Sequence, residues 1–207
     1  VTENGGVEER YGAVNLHVDG DFLIEIPVKQ SGLYMDMTES RFDFESGAAS
    51  RTVSMSTNLS FWNVLEKPSW VSVSPESGEA GEHTLTINVE DNPNTTKREG
   101  RVVVGNQGLS LADTLWVTQE GKSFGPLETV LQFENVASSN TLDISTDGDW
   151  TVTTSDGWIT VAPSSGHGNG QVTVTVEANE TDNERTGLLS VAVGGTVQYV
   201  NVVQKGR

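Results

Sequence analysis

Apolar and polar residues alternate along most of this chain, and no stretch keeps the 3.6-residue period of an amphipathic helix. Val172, Val174 and Val176 share one face of a predicted strand, while Thr173, Thr175 and Glu177 take the other. Leu85, Ile87 and Val89 show the same pattern upstream. Leu189, Val191 and Val193 predict another inward face, matched by Val102 and Val104 and, near the start, by Val14, Leu16 and Val18. Gly194-Gly195 then turns the chain into Thr196–Gln204, a hairpin signal. Leu131-x-Phe133, Leu142-x-Ile144, Trp150-x-Val152 and Ile159-x-Val161 complete the set. About seven strands in roughly 87 residues, divided by turn residues, predict an immunoglobulin-like β-sandwich.

Two tryptophan pairs show that the sandwich is repeated. Trp62 and Trp70 stand 8 residues apart, as do Trp150 and Trp158. Each second Trp is followed at +5 by Pro75 or Pro163 and at +8 by Gly78 or Gly166. The offset is 88 residues there and 87 from Asn92, Arg98 and Gly100 to Asn179, Arg185 and Gly187. It is 85 from Gln119 and Gly121 to Gln204 and Gly206, the shortening falling in a hairpin loop, where length changes are tolerated.

A third, partial copy occupies the start. Val1-x-x-Asn4-x5-Arg10-x-Gly12 aligns without gaps with Val89-x-x-Asn92-x5-Arg98-x-Gly100. Ile26-x-Val28-x-Gln30-x-Gly32 then matches Leu115-x-Val117-x-Gln119-x-Gly121 and Val200-x-Val202-x-Gln204-x-Gly206. The expected organisation is all-β. Residues 1–33 are the C-terminal strands of a preceding partial repeat, and residues 34–122 and 123–207 form tandem sandwiches of about seven strands each. Linkers are expected near Gly32–Met35 and Lys122–Pro126. This organisation suggests a piece of a longer array, or an array that has lost its first half-domain. A lone hairpin is marginal in water, so residues 1–33 are expected to lean on their neighbour.

Composition narrows the function. Of 207 residues, 29 are acidic and 12 basic, giving a net charge of −17, spread evenly over the three segments. Nucleic acid is excluded as a partner, because phosphate binding needs clustered Lys and Arg. No apolar run approaches the roughly 20 residues of a spanning helix, so this segment has no membrane span of that kind. The absence of Cys excludes a disulfide scaffold, a zinc–cysteine site and a cysteine nucleophile.

Several residue sets have architectural readings. Trp62 and Trp150 are in phase with Val64 and Val152 and point into the core. Trp70 and Trp158 are out of phase with Val71/Val73 and Ile159/Val161, which allows the outer face, but they open their strands beside a Pro–Gly turn and are expected to plug the sandwich end. Tyr34 and Phe124 in the linkers are expected to pack between domains. The Asn–Arg–Gly set suggests an Asn at φ > 0 and an Arg paired with nearby acids such as Glu9 or Glu184. Gln30, Gln119 and Gln204 fall inward at strand ends, where hydrogen bonding is expected.

Aromatics present in a single copy are the better functional candidates, since the fold does without them elsewhere. Trp116 occupies the slot held by Asn201 and Pro27 and is out of phase with Leu115 and Val117, so it is predicted to face solvent. Tyr199 points outward in the same way, and Phe61 adds a loop aromatic. An exposed indole can stack on the C–H face of a sugar. Trp116, Tyr199 and Phe61 are therefore the candidate carbohydrate-binding residues.

No metal site or cofactor is expected. Asp147-Gly148-Asp149 with Asp143 and Asp156 lacks the spacing of an EF-hand, and His17, His83 and His167 fall at non-equivalent places. No nucleophile elbow, zinc-protease motif or phosphate loop is present, so no catalytic residue is assigned and the chain is not expected to be an enzyme.

Taken together, Thr57-Asn58…Trp62, Trp70…Ser74-Pro75…Gly78, Asn92…Arg98…Gly100 and Val117-x-Gln119, with their counterparts Trp150, Trp158…Pro163…Gly166, Asn179…Arg185…Gly187 and Val202-x-Gln204, resemble the BACON family of Bacteroidetes extracellular modules. The resemblance departs at Asp147-Gly148-Asp149, which replaces Ser60-Phe61, and in residues 1–33, which lack both tryptophans. It implies an immunoglobulin-like sandwich in an exported or lipid-anchored protein at the outer surface of a bacterium. Such modules flank glycoside hydrolases, peptidases and surface proteins, and the role it implies is adhesion to host or dietary glycans, mucin above all. The other readings are a rigid spacer that holds an enzyme or adhesin away from the cell surface, and protein adhesion through an open sheet edge. Neighbouring domains of a longer chain are expected partners in each case.

Overall fold

The computed structural model describes residues 2, 4–125 and 127–207. Val1 and Glu3, in the partial copy, and Pro126, in the second expected linker, lie outside the described residues. The chain divides into two compact units. The first holds Val1–Phe42, Ala48–Glu90 and Glu99–Thr118, and the second Asp43–Gly47, Asp91–Arg98 and Gln119–Arg207.

Strands β1 (Arg10–Val18) and β2 (Asp21–Gln30) form a two-stranded antiparallel sheet. Asp19 and Gly20 turn it, both at positive φ. The next elements are β3 (Met35–Met37), β4 (Arg41–Phe44), β5 (Ala49–Thr57), β6 (Trp62–Glu66), β7 (Val71–Ser74), β8 (Ser77–Gly78), β9 (Gly81–Val89), β10 (Arg98–Asn106) and β11 (Leu111–Gln119). They make a five-stranded sheet, β4-β11-β10-β6-β8, and a four-stranded sheet, β3-β5-β9-β7. A single 3-10 turn over Gln107–Leu109, closed by Ser110 at φ 52°, joins β10 to β11.

The last elements are β12 (Val130–Phe133), β13 (Ser138–Ile144), β14 (Asp149–Thr154), β15 (Ile159–Ala162), β16 (Ser165–His167), β17 (Gly170–Val176), β18 (Arg185–Val193) and β19 (Thr196–Gln204). Their sheets are β12-β19-β18-β14-β16 and β13-β17-β15. Seven longer strands and one short one match the expected immunoglobulin-like sandwich. The earlier repeat adds β3, whose place is taken here by a lone bridge between Phe124 and Thr146. Strand β12 runs parallel to β19, while β14, β18 and β19 are antiparallel. Gly194 and Gly195, both at positive φ, make the two-residue turn that the sequence signals.

Alternation places the cores as predicted. Val172, Val174, Leu189, Val191, Val200 and Val202 have no exposed surface, and neither do Leu85, Ile87, Val102, Val104, Leu115 and Val117. Trp62 and Trp150 lie at the centre of each repeat's core. Their indole N–H groups donate to the Glu79 and Gly168 carbonyls. The recurrent Gly has its cause in the first Trp of each pair, which it faces across the sheet. A Cβ on Gly78 would stand 2.8 Å from the Trp62 ring, and one on Gly166 2.3 Å from Trp150. A β-bulge between Val103 and Val104 shifts β6, which leaves Val64 only half-buried.

Four expectations are corrected. First, the Asn residues of the Asn–Arg–Gly sets do not adopt positive φ; Asp19 and Ser110 are the non-glycine residues that do so among the described residues. Each Asn instead ties two loops together. Asn92 Nδ2 donates to the Thr96 and Glu120 carbonyls, Asn179 Nδ2 to those of Asn183 and Lys205, and Asn4 Nδ2 to those of Glu8 and Ser31. Second, each Arg bonds a glutamine. Arg10, Arg98 and Arg185 donate Nε to Oε1 of Gln30, Gln119 and Gln204 at 2.7, 2.8 and 2.9 Å. Glu9 is bound instead by Lys29.

Third, the linker aromatics do not act alike. Phe124 packs onto the core of the last repeat, while Tyr34 is exposed. Fourth, the hairpin does not bury its apolar face on its neighbour. Val14, Leu16, Val18, Ile24 and Ile26 are 43–52% exposed. Near Gly32 the chain is anchored by Asn58, whose Nδ2 donates to the Gly32 carbonyl and whose Oδ1 accepts from Tyr34 N–H.

Candidate functional site

The outer face of the sheet β4-β11-β10-β6-β8 carries the strongest of the predicted residues. Side chains alternate along β11, so Thr114, Trp116 and Thr118 share one face while Leu115 and Val117 enter the core. Trp116 is 43% exposed. Its backbone N–H donates to the Ser40 carbonyl, so the edge strand region holds its main chain in place.

The indole sits among anchored charges. Arg98 bonds Gln119 across β10 and β11, and counting three residues from that pair sets Arg101 beside Trp116. Arg101 grips Glu66 with two parallel bonds, Nε to Oε1 at 2.9 Å and Nη2 to Oε2 at 2.8 Å. The hydrogen bonds from Arg101 hold the Glu66 carboxyl below its ordinary range and raise the guanidinium in return. Arg41, on β4, donates Nη2 to the Thr118 hydroxyl at 2.6 Å. The face therefore offers an apolar plate beside fixed donors and acceptors.

The other two candidates are exposed as predicted, and Phe61 is not gathered with Trp116. Phe61 precedes β6, and its carbonyl accepts from Asn106 at the far end of β10. That end adjoins Leu111, so Trp116 lies five residues, roughly 17 Å, along β11 from it. Tyr199, opposite Ser190 on β19, belongs to the second unit. Trp158 is partly buried against the last core, with the Arg185 guanidinium 4.2 Å above its ring.

Sequence reasoning missed the Arg101–Glu66 and Arg41–Thr118 pairs, because both join residues on different strands. The histidines have local partners. His83 Nε2 lies 2.8 Å from the Glu79 carbonyl beside Trp62, and His167 Nδ1 2.8 Å from Asp149 on an exposed loop. Among the described residues, no group of three or more His, Asp or Glu is placed to hold a metal ion, and no helix is long and apolar enough to cross a membrane.

Comparison with known families finds two matches. The family model of the viral BACON domain matches residues 126–207, and that of BACON, described as a binding domain of N-terminal position, matches residues 60–120. A xyloglucan-specific endo-β-1,4-glucanase, BoGH5A of Bacteroides ovatus, is 35% identical over 75 residues. That stretch is 36% of this chain and 15% of the glucanase, so the chain spans a small part of that relative. Among solved structures, the Bacteroides ovatus GH5 xyloglucanase in complex with a XXXG heptasaccharide is similar over 42% of this chain and 19% of its own, with 30% identity and a TM-score of 0.39. The I9–I11 tandem of titin covers 95% of this chain and 74% of its own, with 11% identity and a TM-score of 0.44.

Proposed function

We propose that this chain is a non-catalytic module of an exported or surface-attached bacterial protein, and that it binds carbohydrate on the outer face around Trp116. The observation that carries the reading is an indole held 43% exposed in a slot that the fold fills with Asn201 and Pro27 elsewhere. No core position demands it, and an exposed indole offers a flat apolar plate on which the C–H face of a sugar can stack. A pyranose ring laid on the indole would place its hydroxyls over Arg101, Glu66 and Arg41. Phe61 and Tyr199 are separate secondary contacts in this reading. The matched binding-domain family and the glycan-degrading relative support the class of ligand.

The test is affinity electrophoresis of the purified chain against mucin, xyloglucan and a panel of soluble polysaccharides, with Trp116→Ala alongside. Saturable retardation that weakens at least about tenfold in the variant is the expected result, in line with loss of one stacking contact. No retardation by any glycan, with the protein folded by circular dichroism, would overturn the reading and leave the spacer role or adhesion to a protein partner.

A further inference from the structure

The hairpin of β1 and β2 is built as the closing strand pair of a third sandwich. We infer that its apolar face receives the remaining strands of a repeat of this same type, carried on the same polypeptide ahead of residue 1. Four independent features of the hairpin point to that occupant.

The first is register. Arg10 pairs with Gln30 as Arg185 pairs with Gln204, and Val14, Leu16, Ile26 and Val28 take the places of Leu189, Val191, Val200 and Val202. Those four are fully buried in the last repeat, whereas Val14, Leu16 and Ile26 are 43–47% exposed. The second is the sheet edges. The pairs β10–β11 and β18–β19 each have a strand on both sides, β6 and β4 or β14 and β12. The β1–β2 sheet has neither among the described residues.

The third is a set of polar groups that suits one kind of surface. In the complete repeats the glutamine amide continues past its Arg partner to loop carbonyls. Gln119 Nε2 donates to Ser46 and Gly47, and Gln204 Nε2 to Glu134, Val136 and Glu177. Gln30 makes the bond to Arg10 at 2.7 Å, while its amide nitrogen meets no acceptor among the described residues. An occupant that presents carbonyls at the turn after its equivalent of β4 or β12, as Ser46 and Glu134 do, would complete it. The fourth is Gly12. A Cβ on its counterpart Gly100 would stand 2.3 Å from Pro68 Cγ, and one on Gly187 2.4 Å from Ile159 Cδ1. A Cβ on Gly12 would meet nothing within 4 Å. The cleft beside it, about 250 Å³, is lined by Arg10, Gly12, Val14, Val28 and Gln30, and the loop before an equivalent of β7, where Pro68 stands in the first complete repeat, would fill it. A generic apolar partner would need the face but neither the carbonyl acceptors nor the glycine.

The chain supplies its own probe. Since Val1 aligns with Val89, residues 34–88 joined directly to Val1 place a copy of β3 to β9 in unbroken register ahead of the hairpin. Amide hydrogen exchange by NMR is compared in the 207-residue chain and in this fusion. In the chain alone, the outward-facing amides of β1 and β2 should exchange freely. In the fusion they should slow by ~100-fold or more, towards the behaviour of β10 and β11, while the strands of the two complete sandwiches serve as internal controls. Unchanged exchange in the fusion, with those controls protected, would overturn the inference. So would a 207-residue chain that sediments as a dimer with β1 and β2 already protected, since the face would then belong to a second copy. A second measurement does not depend on the fusion folding. Leu16→Asp with Ile26→Asp in the 207-residue chain should abolish binding of a hydrophobic dye and leave both sandwich melting transitions in place, whereas a lowered transition would mean that the face is already packed and would overturn the inference.

Discussion

Strands β1–β2 and β18–β19 are nearly the same object in two settings. Each is an antiparallel hairpin of nine or ten residues per strand, clamped by one Arg–Gln bond, with a row of Val, Leu and Ile on one face. One has its row sealed and the other presents it to water. Strand pairing, register and the polar clamp are therefore the same with and without a facing sheet. Burial is what the second sheet adds. At roughly 25 cal/mol per Å² of apolar surface, that layer supplies most of the net stability of a sandwich.

The largest expected effect separates those settings directly. Val104→Asp puts a carboxylate at a site with no exposed surface, and the first sandwich should lose about 4 kcal/mol or more in denaturant melts. Leu16→Asp, at the matching place in the hairpin, should change either sandwich by less than about 0.5 kcal/mol. Equal losses would break the comparison.

A smaller difference is expected at the clamp. Gln204→Ala removes the acceptor of Arg185 and the buried amide that binds the loop carbonyls of Glu134, Val136 and Glu177, a cost of about 2 kcal/mol in the same measurement. Gln30→Ala breaks one half-exposed bond and should leave both melting transitions within about 0.5 kcal/mol of the parent.

The smallest effect concerns acid. At Asp147, burial raises the pKa, yet hydroxyl and backbone hydrogen bonds, those of Ser123 among them, prevail and lower it from 3.8 to about 2. A depressed carboxyl stabilises above its unfolded value and loses that contribution as pH falls through the folded value. Stability should therefore decline between about pH 4 and pH 2, and Asp147→Asn should flatten that limb. Glu9, lowered by its bonds to Lys29 and Tyr11 in the hairpin, is fully exposed, so Glu9→Gln should leave the acid limb unchanged.

Much of this architecture was legible in the residues. A period of two and the recurrent Trp, Pro and Gly placed the strands, because side-chain alternation is a property of each strand alone. The outward phase of Trp116 was legible for the same reason. What could not be read were facts about pairs. Arg98 meets Gln119 from 21 positions away, and the neighbouring Glu99 has no part in that bond. The Asn residues looked like turn formers by type, yet they work through their amides between two loops. The bulge at Val103/Val104 depends on how β6 meets β10, and neither strand announces it. The exposure of Val14 and Leu16 was hidden most thoroughly, since their pattern is that of a core.

The parallel pairing of β12 with β19 has a mechanical consequence. Val130 to Phe133 lie alongside Asn201 to Gln204, so the strand that opens the last repeat and the strand that closes it run side by side in one direction. Tension applied through the two ends of the repeat pulls these strands past each other. Their hydrogen bonds are then loaded together in shear, instead of being peeled one at a time. The domain can bear a pull along its chain until the whole row gives way at once.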